Sequence, residues 1–275
     1  MLTVLSGAVP FVRIFGGQLV TKMRDFTIGK YTELCRTLLD AGYIPRTIYQ
    51  YLSGATDGMG VLLRHDVDRK PKNALRMAEL EHELGIHSTY YFRHPYTFIP
   101  EIIRQIYSFG HEVGYHYEVL AKARGDYKKA IGLFSHELGE FRSLCDVQTI
   151  CMHGSPLSRY DNRELWSKYD FRDFRITGEA YLSMAGKGLL YLTDTGRSWN
   201  SKYSVRDALP GSSTVPVETT DDLIAWIESS EERMLYLTVH PQRWAISEVD
   251  RIAGGVEDSL MNVGKSIILR IGVSR

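Results

Sequence analysis

Short apolar runs alternate with amphipathic helical segments along most of the chain, from about Thr27 onward. The apolar runs predict strands over residues 61–63, 88–92, 112–115, 149–152, 189–193 and 235–239. The helical segments carry apolar residues three and four positions apart, and they are clearest over residues 28–41, 71–84, 100–109 and 126–144. Strands that alternate with helices of this length are typical of βαβ units, in which the strands are parallel. The pattern therefore predicts an α/β fold built on a parallel sheet.

Ionisable side chains follow these predicted strands at once. They are Asp66 and Asp68, Arg93, His116 and Glu118, His153, Asp194, and His240. One Asp or His after a strand is more often a helix cap or a solvated loop residue than a functional group. In parallel α/β folds, however, the carboxyl ends of all strands meet at one edge, and the active site is built there. Repetition at several strand ends therefore predicts that these side chains converge on one site.

Aspartate and imidazole together are suitable ligands for a divalent metal, and Zn²⁺ is the ion that we expect. Such a metal lowers the pKa of a bound water molecule toward about 7. Residues two apart in an extended chain face the same side, so Asp66 and Asp68 could both reach one ion and its water, as could His116 and Glu118. One aspartate would then bind the metal, the other would act as base, and a histidine would protonate the leaving group. This set of residues favours hydrolysis of an amide or an ester.

Composition argues against several other classes of protein. The chain has 33 Lys+Arg and 33 Asp+Glu residues, and the two signs are interspersed. This pattern gives no basic surface of the kind that binds a nucleic acid or an anionic bilayer. Cys35, Cys145 and Cys151 form no C-x-x-C pair, so neither a disulfide framework nor a zinc knuckle is indicated. No apolar run approaches the length of about 18 residues that a membrane span needs. We expect a cytoplasmic protein with an extension over residues 1–22, which need not be ordered, and one catalytic domain over residues 23–275.

Several short motifs follow one another in a fixed order between about residues 61 and 244. They are R-H-D-V-D at 64–68, G-H-E-V-G-Y-H at 110–116 with Y-E after it, M-H-G-S-P at 152–156, the segment 194–199, and V-H-P-Q-R-W at 239–244. In this order they resemble the polysaccharide deacetylases, the NodB-homology domain of carbohydrate esterase family four. The resemblance implies a distorted (β/α) barrel of about seven parallel strands. It also implies a metal-dependent enzyme that removes an N- or O-acetyl group from a sugar, with a carbohydrate as its partner.

Residue by residue, the resemblance implies that Asp66 is the general base and that His240 is the general acid. Asp68 and His116 would bind the metal, and Asp194 would orient either His240 or the neighbouring Arg197. Further side chains would contact the sugar, with Trp199 as a wall of the pocket. The predicted substrate-binding residues are Arg64, Arg93, Tyr117, Arg197, Trp199 and Trp244.

The chain departs from the family pattern at one metal ligand. The family's second histidine normally lies four residues after the first, and that position holds Leu120, which cannot bind a metal. Glu118 and His153 are the candidates for the third ligand, and the spacing slightly favours Glu118. The usual arginine that steadies the base is also replaced, so either Arg64 or Arg93 takes that role.

Other functions stay open. D-V-D is a D-x-D tripeptide of the kind that holds nucleotide sugars in glycosyltransferases, but that reading leaves His116 and His240 unexplained. The missing ligand allows a glycan-binding pseudoenzyme without activity. Another hydrolase of C–N bonds, acting on a small cyclic amide, would use the same groups.

Overall fold

The computed structural model describes residues 25–154, 158–200, 208–210 and 215–247. The predicted extension over residues 1–22 lies outside the described residues. The helices are α1 (Ile28–Asp40), α2 (Ile48–Leu52), α3 (Pro71–Glu83), α4 (Pro100–Ser108), α5 (Val119–Lys122), α6 (Tyr127–Arg142) and α7 (Thr220–Ser229). Short 3₁₀ turns cover Asn162–Ser167, Phe171–Phe174 and Pro241–Arg243. The strands are β1 (Ile44–Arg46), β2 (Gly60–Val67), β3 (Thr89–Phe92), β4 (Glu112–Tyr117), β5 (Thr149–Met152), β6 (Gly178–Glu179), β7 (Leu190–Thr193) and β8 (Met234–Val239).

All strands belong to one sheet, in the order β6-β5-β4-β3-β2-β8-β7, and each pairing is parallel. The short strand β1 pairs with the first residues of β2. It lies on the same side of β2 as β3, which pairs with the later residues of β2. The sheet curls with helices around it, which confirms the predicted distorted (β/α) barrel. Within the described residues the order ends at β6 on one side and at β7 on the other. The parallel pairing brings the carboxyl ends of the central strands to one edge.

Strand β2 shows how the fold sorts side chains between two faces. Every residue of β2 is buried, and successive side chains point to opposite faces of the sheet. Leu62 packs in the larger hydrophobic core, whereas Val61 and Leu63 pack in a second core with α1, α3 and α7. The same alternation places Arg64 and Asp66 on the face of Leu62.

The predicted helices are confirmed within one or two residues, because capping residues and glycines mark their ends. Thr27 accepts a hydrogen bond from a backbone N–H of α1 as its N-cap, and Asp126 does the same for α6. Gly42, Gly85 and Gly110, with φ of 85°, 71° and 87°, follow the ends of α1, α3 and α4. The sequence prediction missed the strands β1 and β6 and the helices α2, α5 and α7, and it ended β2 and β4 too early. None of the helices among the described residues combines the length and the apolar character that crossing a bilayer requires.

Candidate active site

Three of the predicted ligands meet at the carboxyl edge of the sheet. Asp68 follows β2, His116 lies near the end of β4, and His153 follows β5. The Oδ1 atom of Asp68 is 3.0 Å from Nδ1 of His153 and 3.3 Å from Nε2 of His116. The two imidazole nitrogens are 3.3 Å apart. The three ligand atoms therefore form a nearly equilateral triangle.

The protonation of this triangle follows from its neighbours. Nδ1 of His116 lies 3.0 Å from the carbonyl oxygen of Cys151, which can only accept, so Nδ1 carries the hydrogen. In the neutral ring, Nε2 then presents a lone pair to the cluster. Oδ1 of Asp68 is buried and has no hydrogen-bond partner, although both imidazoles are close to it. Burial raises the pKa of Asp68, but His153, His116 and His240 outweigh it and hold that pKa well below its usual value.

This arrangement fits a tetrahedral metal ion. Bonds of about 2.0–2.1 Å at tetrahedral angles place neighbouring ligand atoms about 3.3 Å apart, which matches the triangle of Asp68, His116 and His153. An acidic oxygen with no partner beside two imidazole nitrogens is also the donor set that a catalytic zinc site uses. The fourth position would be left for water or substrate. These three residues could therefore hold the cation.

Glu118, which the spacing slightly favoured as third ligand, does not join this cluster. Both of its carboxylate oxygens accept hydrogen bonds from Nη2 of Arg93, at 3.0 and 2.9 Å. Lys122 lies 3.9 Å from the same carboxylate. Arg93 also donates from Nη1 to the backbone carbonyl of Asp68, at 3.3 Å. The structure thus brings His153, and not Glu118, to Asp68 and His116, and Arg93 braces the loop that carries Asp68.

Asp66 lies beside the triangle and is held by Arg64. The guanidinium donates from Nε to Oδ1 at 2.8 Å and from Nη2 to Oδ2 at 2.5 Å. Burial raises the pKa of Asp66, but Arg64 and His116 outweigh burial and lower it, so this carboxylate is ionised at neutral pH. Oδ2 of Asp66 is 3.8 Å from Nε2 of His116. Arg64 is completely buried, and its guanidinium is used in these contacts with Asp66.

On the other side of the triangle, His240 is held by Asp194. This carboxylate accepts from the backbone N–H of His240 at 2.9 Å and from its Nδ1 at 2.6 Å. Arg243 and Trp244 donate to it at 2.9 and 2.8 Å. Burial raises the pKa of Asp194, but His240 and Arg243 outweigh burial and lower it to about 2. With Nδ1 donating, Nε2 of His240 faces the site, 4.0 Å from Oδ2 of Asp68.

The aromatic residues predicted to contact the sugar are core residues. Tyr117, Trp199 and Trp244 are completely buried. The Tyr117 hydroxyl accepts a hydrogen bond from Trp166 at 2.9 Å, and Trp199 donates to Thr220 at 3.1 Å. Their polar atoms are thus used inside the protein, and the direct contact of these three residues with a sugar stays a prediction.

Arg197 is half-buried, and its guanidinium lies 6.0 Å from the ring centre of Phe26. Its backbone N–H donates to the carbonyl of Asp194. His240, one of the two partners predicted for the Asp194 carboxylate, donates to it. The strong cationic partner is Arg243, which the sequence prediction did not name.

The sequence analysis missed further residues at this edge. Cys151 is buried with Sγ 3.9 Å from Oδ1 of Asp66, and the two form a second close group with His116. Gln242 donates from Nε2 to Oδ2 of Asp68 at 3.2 Å. Both carried a usable signal, because Cys151 lies in β5 two residues before His153 and Gln242 lies two residues after His240 in the V-H-P-Q-R-W segment.

Comparison with known proteins gives distant structural neighbours only. No family model and no curated protein matches the sequence. One solved structure is a mutant of a CE4-family pseudoenzyme with restored enzymatic activity, at 13% identity and a TM-score of 0.43 over 80% of this chain and 68% of that chain. Another is a family 4 carbohydrate esterase from Bacillus anthracis, at 13% identity and a TM-score of 0.37 over 91% and 88% of the two chains. The functional conclusion therefore depends on the residues of this chain.

Proposed function

We propose that this protein is a metal-dependent hydrolase that removes an acetyl group from an acetylated sugar. The observation that carries the proposal is the triangle of Asp68, His116 and His153, with an ionised carboxylate on one side and a carboxylate-bound imidazole on the other. A metal ligand set, a base and an acid are the three parts that amide hydrolysis requires. The carbohydrate class of the substrate is taken from the motif order, which resembles the polysaccharide deacetylases.

Asp68, His116 and His153 would hold the divalent metal, and Zn²⁺ is the ion that fits them best. When bound, the metal would acidify a water molecule and polarise the acyl oxygen of the substrate. The hydrogen bond from Nδ1 of His116 to the Cys151 carbonyl fixes the ring so that Nε2 stays available as a ligand. Arg93 and Gln242 hold the backbone and the other oxygen of Asp68 in place.

Asp66 would take the proton of the attacking water. Its carboxylate is ionised and lies 3.8 Å from His116, so it adjoins the reacting atoms. Arg64 prevents the carboxylate from rotating, because two parallel hydrogen bonds fix its plane. As the water oxygen bonds to the acyl carbon, its proton passes to Asp66.

His240 would supply the proton to the leaving nitrogen from Nε2. The C–N bond then breaks with its electron pair on nitrogen, and the products are acetate and the free amine. Asp194 keeps the hydrogen of the ring on Nδ1 and stabilises the positive charge of the protonated imidazole. After product release, Asp66 loses its proton to solvent and His240 takes up a proton from solvent. Both groups are then in their starting states.

The experiment that tests the proposal measures bound metal and acetate release on the same preparations. The wild-type protein, loaded with Zn²⁺, should hold about one ion per chain and release acetate from N-acetylated sugars. Asp66→Asn should keep the metal and lose acetate release, whereas His153→Ala should lose the metal. Glu118→Gln is the matched control and should keep it, because the Glu118 carboxylate is bound to Arg93.

Each alternative gives a different result. Absence of bound metal after Zn²⁺ addition would refute the metal site. A protein that binds metal and glycan and yet releases no acetate from a panel of acetylated sugars would be a pseudoenzyme. Ring opening of a cyclic amide, without acetate release from sugars, would identify the other C–N hydrolase.

A further inference from the structure

Gln242 lies in the turn that also delivers His240 to the site. The 3₁₀ turn Pro241–Arg243 follows His240 directly, and the side chain of Asn73 donates to backbone carbonyls at both ends of it, at 3.3 and 3.0 Å. Arg243 ties the same turn to Asp194. Gln242 is only 7% exposed. Its carboxamide is therefore held rigidly beside the catalytic groups.

The two ends of this carboxamide have different surroundings. Nε2 donates to Oδ2 of Asp68 at 3.2 Å, and a carboxylate oxygen accepts only, so the orientation of the amide is determined. Oε1 of Gln242 is buried and has no hydrogen-bond partner. A buried acceptor without a partner is unfavourable, and such groups in native proteins usually have a ligand or a water molecule to bind. This acceptor is not used by the mechanism described above.

We propose that Oε1 of Gln242 accepts a hydrogen bond from the amide N–H of the substrate and so makes the site selective for N-acyl over O-acyl sugars. The inference depends on the proposed function. An amide carries a hydrogen on the leaving nitrogen, whereas the leaving oxygen of an ester carries none. An ester in the site would therefore leave the buried acceptor without a partner.

Position supports this assignment. The nitrogen and oxygen of one carboxamide are about 2.2 Å apart, and Nε2 is 3.2 Å from Oδ2 of Asp68, so Oε1 lies in the region next to that carboxylate. That same Oδ2 is 4.0 Å from Nε2 of His240, the proposed proton donor. The leaving nitrogen must approach His240 to receive its proton, and this brings its N–H to the region of the Gln242 carboxamide.

The test compares an N-acetylated amino sugar with the O-acetyl ester of the corresponding sugar, in the zinc-loaded wild type and in Gln242→Met. Methionine keeps the length of the side chain and removes both polar atoms. We expect kcat/KM for the amide to fall about 10- to 100-fold more than kcat/KM for the ester. Loss of the contact with Asp68 lowers both rates, so the ratio of the two isolates the effect of Oε1. Bound zinc, measured on the same samples, should stay at the wild-type level.

Asn73→Ala is the matched control, since it loosens the turn without removing the acceptor and should lower both rates alike. A ratio that Gln242→Met leaves unchanged would overturn the proposal and show that Gln242 acts only by positioning Asp68. A wild-type protein that hydrolyses neither compound would refute the proposed function, and the selectivity with it. Hydrolysis by the wild type with an unchanged ratio in the variant refutes the selectivity alone.

Discussion

Replacement of Asp194 by asparagine is the sharpest test of the proposed acid. The Asp194 carboxylate is completely buried and receives four hydrogen bonds, two from His240 and one each from Arg243 and Trp244. An asparagine keeps one acceptor oxygen and turns an NH₂ group toward the remaining donors. Hydrogen bonds are lost, and the guanidinium of Arg243 keeps its charge without a counterion.

Two arguments give the size of the effect on stability. The pKa of Asp194 is about 2 instead of the ordinary 3.8, which corresponds to about 2 kcal/mol of stabilisation of the charged form. Removal of one partner from a buried ion pair costs roughly 3–5 kcal/mol. We therefore expect the free energy of unfolding to fall by about 2–5 kcal/mol. Because the pKa is lowered in the folded state, this contribution is complete above pH 3.8 and is lost as the pH falls toward 2.

Activity should fall further than stability alone would explain. Without the carboxylate, Nδ1 of His240 loses the acceptor that holds its hydrogen, and the ring can adopt the other tautomer. In a serine hydrolase, the equivalent change of Asp to Asn lowers kcat by about 10⁴, and we expect a loss of about 10²–10⁴ in acetate release.

Urea unfolding at several pH values, together with kcat on samples confirmed to be folded, measures both effects. Trp244→Phe is the matched control, because it removes one donor and leaves Asp194 charged and bound to His240. It should cost less stability and keep most of the activity. An Asn variant with wild-type kcat would refute the role of Asp194 in orienting the acid.

Two further changes test the buried charges around the site. In Arg64→Met, Asp66 becomes a buried carboxylate without its cation, so the pKa of Asp66 should rise and the free energy of unfolding should fall by roughly 3–5 kcal/mol. The acid limb of the pH–activity profile should then move to higher pH, because Asp66 must be ionised to act as base. An unmoved limb would contradict the assignment of Asp66 as the base. Burial raises the pKa of Glu81, but His65 and other partners outweigh burial and lower that pKa from 4.5 to about 2. The ionised Glu81 therefore stabilises the folded protein by roughly 3 kcal/mol above pH 4.5, and this contribution is lost as the pH falls toward 2. Glu81→Gln should remove that acid sensitivity in urea unfolding, whereas Glu79→Gln on the same helix should keep it; parallel pH curves for both variants would disprove this linkage.

The sequence was sufficient to predict the fold and the edge that holds the site. Strand ends can be read from local apolar runs, and parallel topology then brings those ends together whatever the side chains are. The choice between Glu118 and His153 could not be made in this way. Arg93, which lies at the end of another strand, binds both oxygens of Glu118 and so favours His153 in the proposed site. The contact between Arg93 and Glu118 joins residues that are far apart in the sequence, so the spacing of residues within one motif does not reveal it.

The burial of the aromatic residues could not be predicted from the sequence for a different physical reason. Tyr117, Trp199 and Trp244 are as large and amphipathic as side chains that stack on sugars, and they lie near strand ends. Each polar atom nevertheless finds a partner inside the protein, so the rings can be buried completely. Trp244 still serves the site, because its indole N–H donates to Asp194 from within the core.

Strand β2 explains why neighbouring residues of R-H-D-V-D have unrelated roles. Alternation directs Arg64 and Asp66 to one face, where they form the bidentate pair beside the proposed metal ligands. His65 points to the opposite face and contacts Glu81 at 2.7 Å, so it belongs to a buried network under helix α3. Asp68 comes after the last residue of β2, where the backbone is free to leave the sheet and carry its carboxylate over the edge. A shift of one residue in the register of β2 would exchange the faces of Asp66, the proposed base, and His65, so the sheet register that packs the two cores also determines which side chains reach the candidate site.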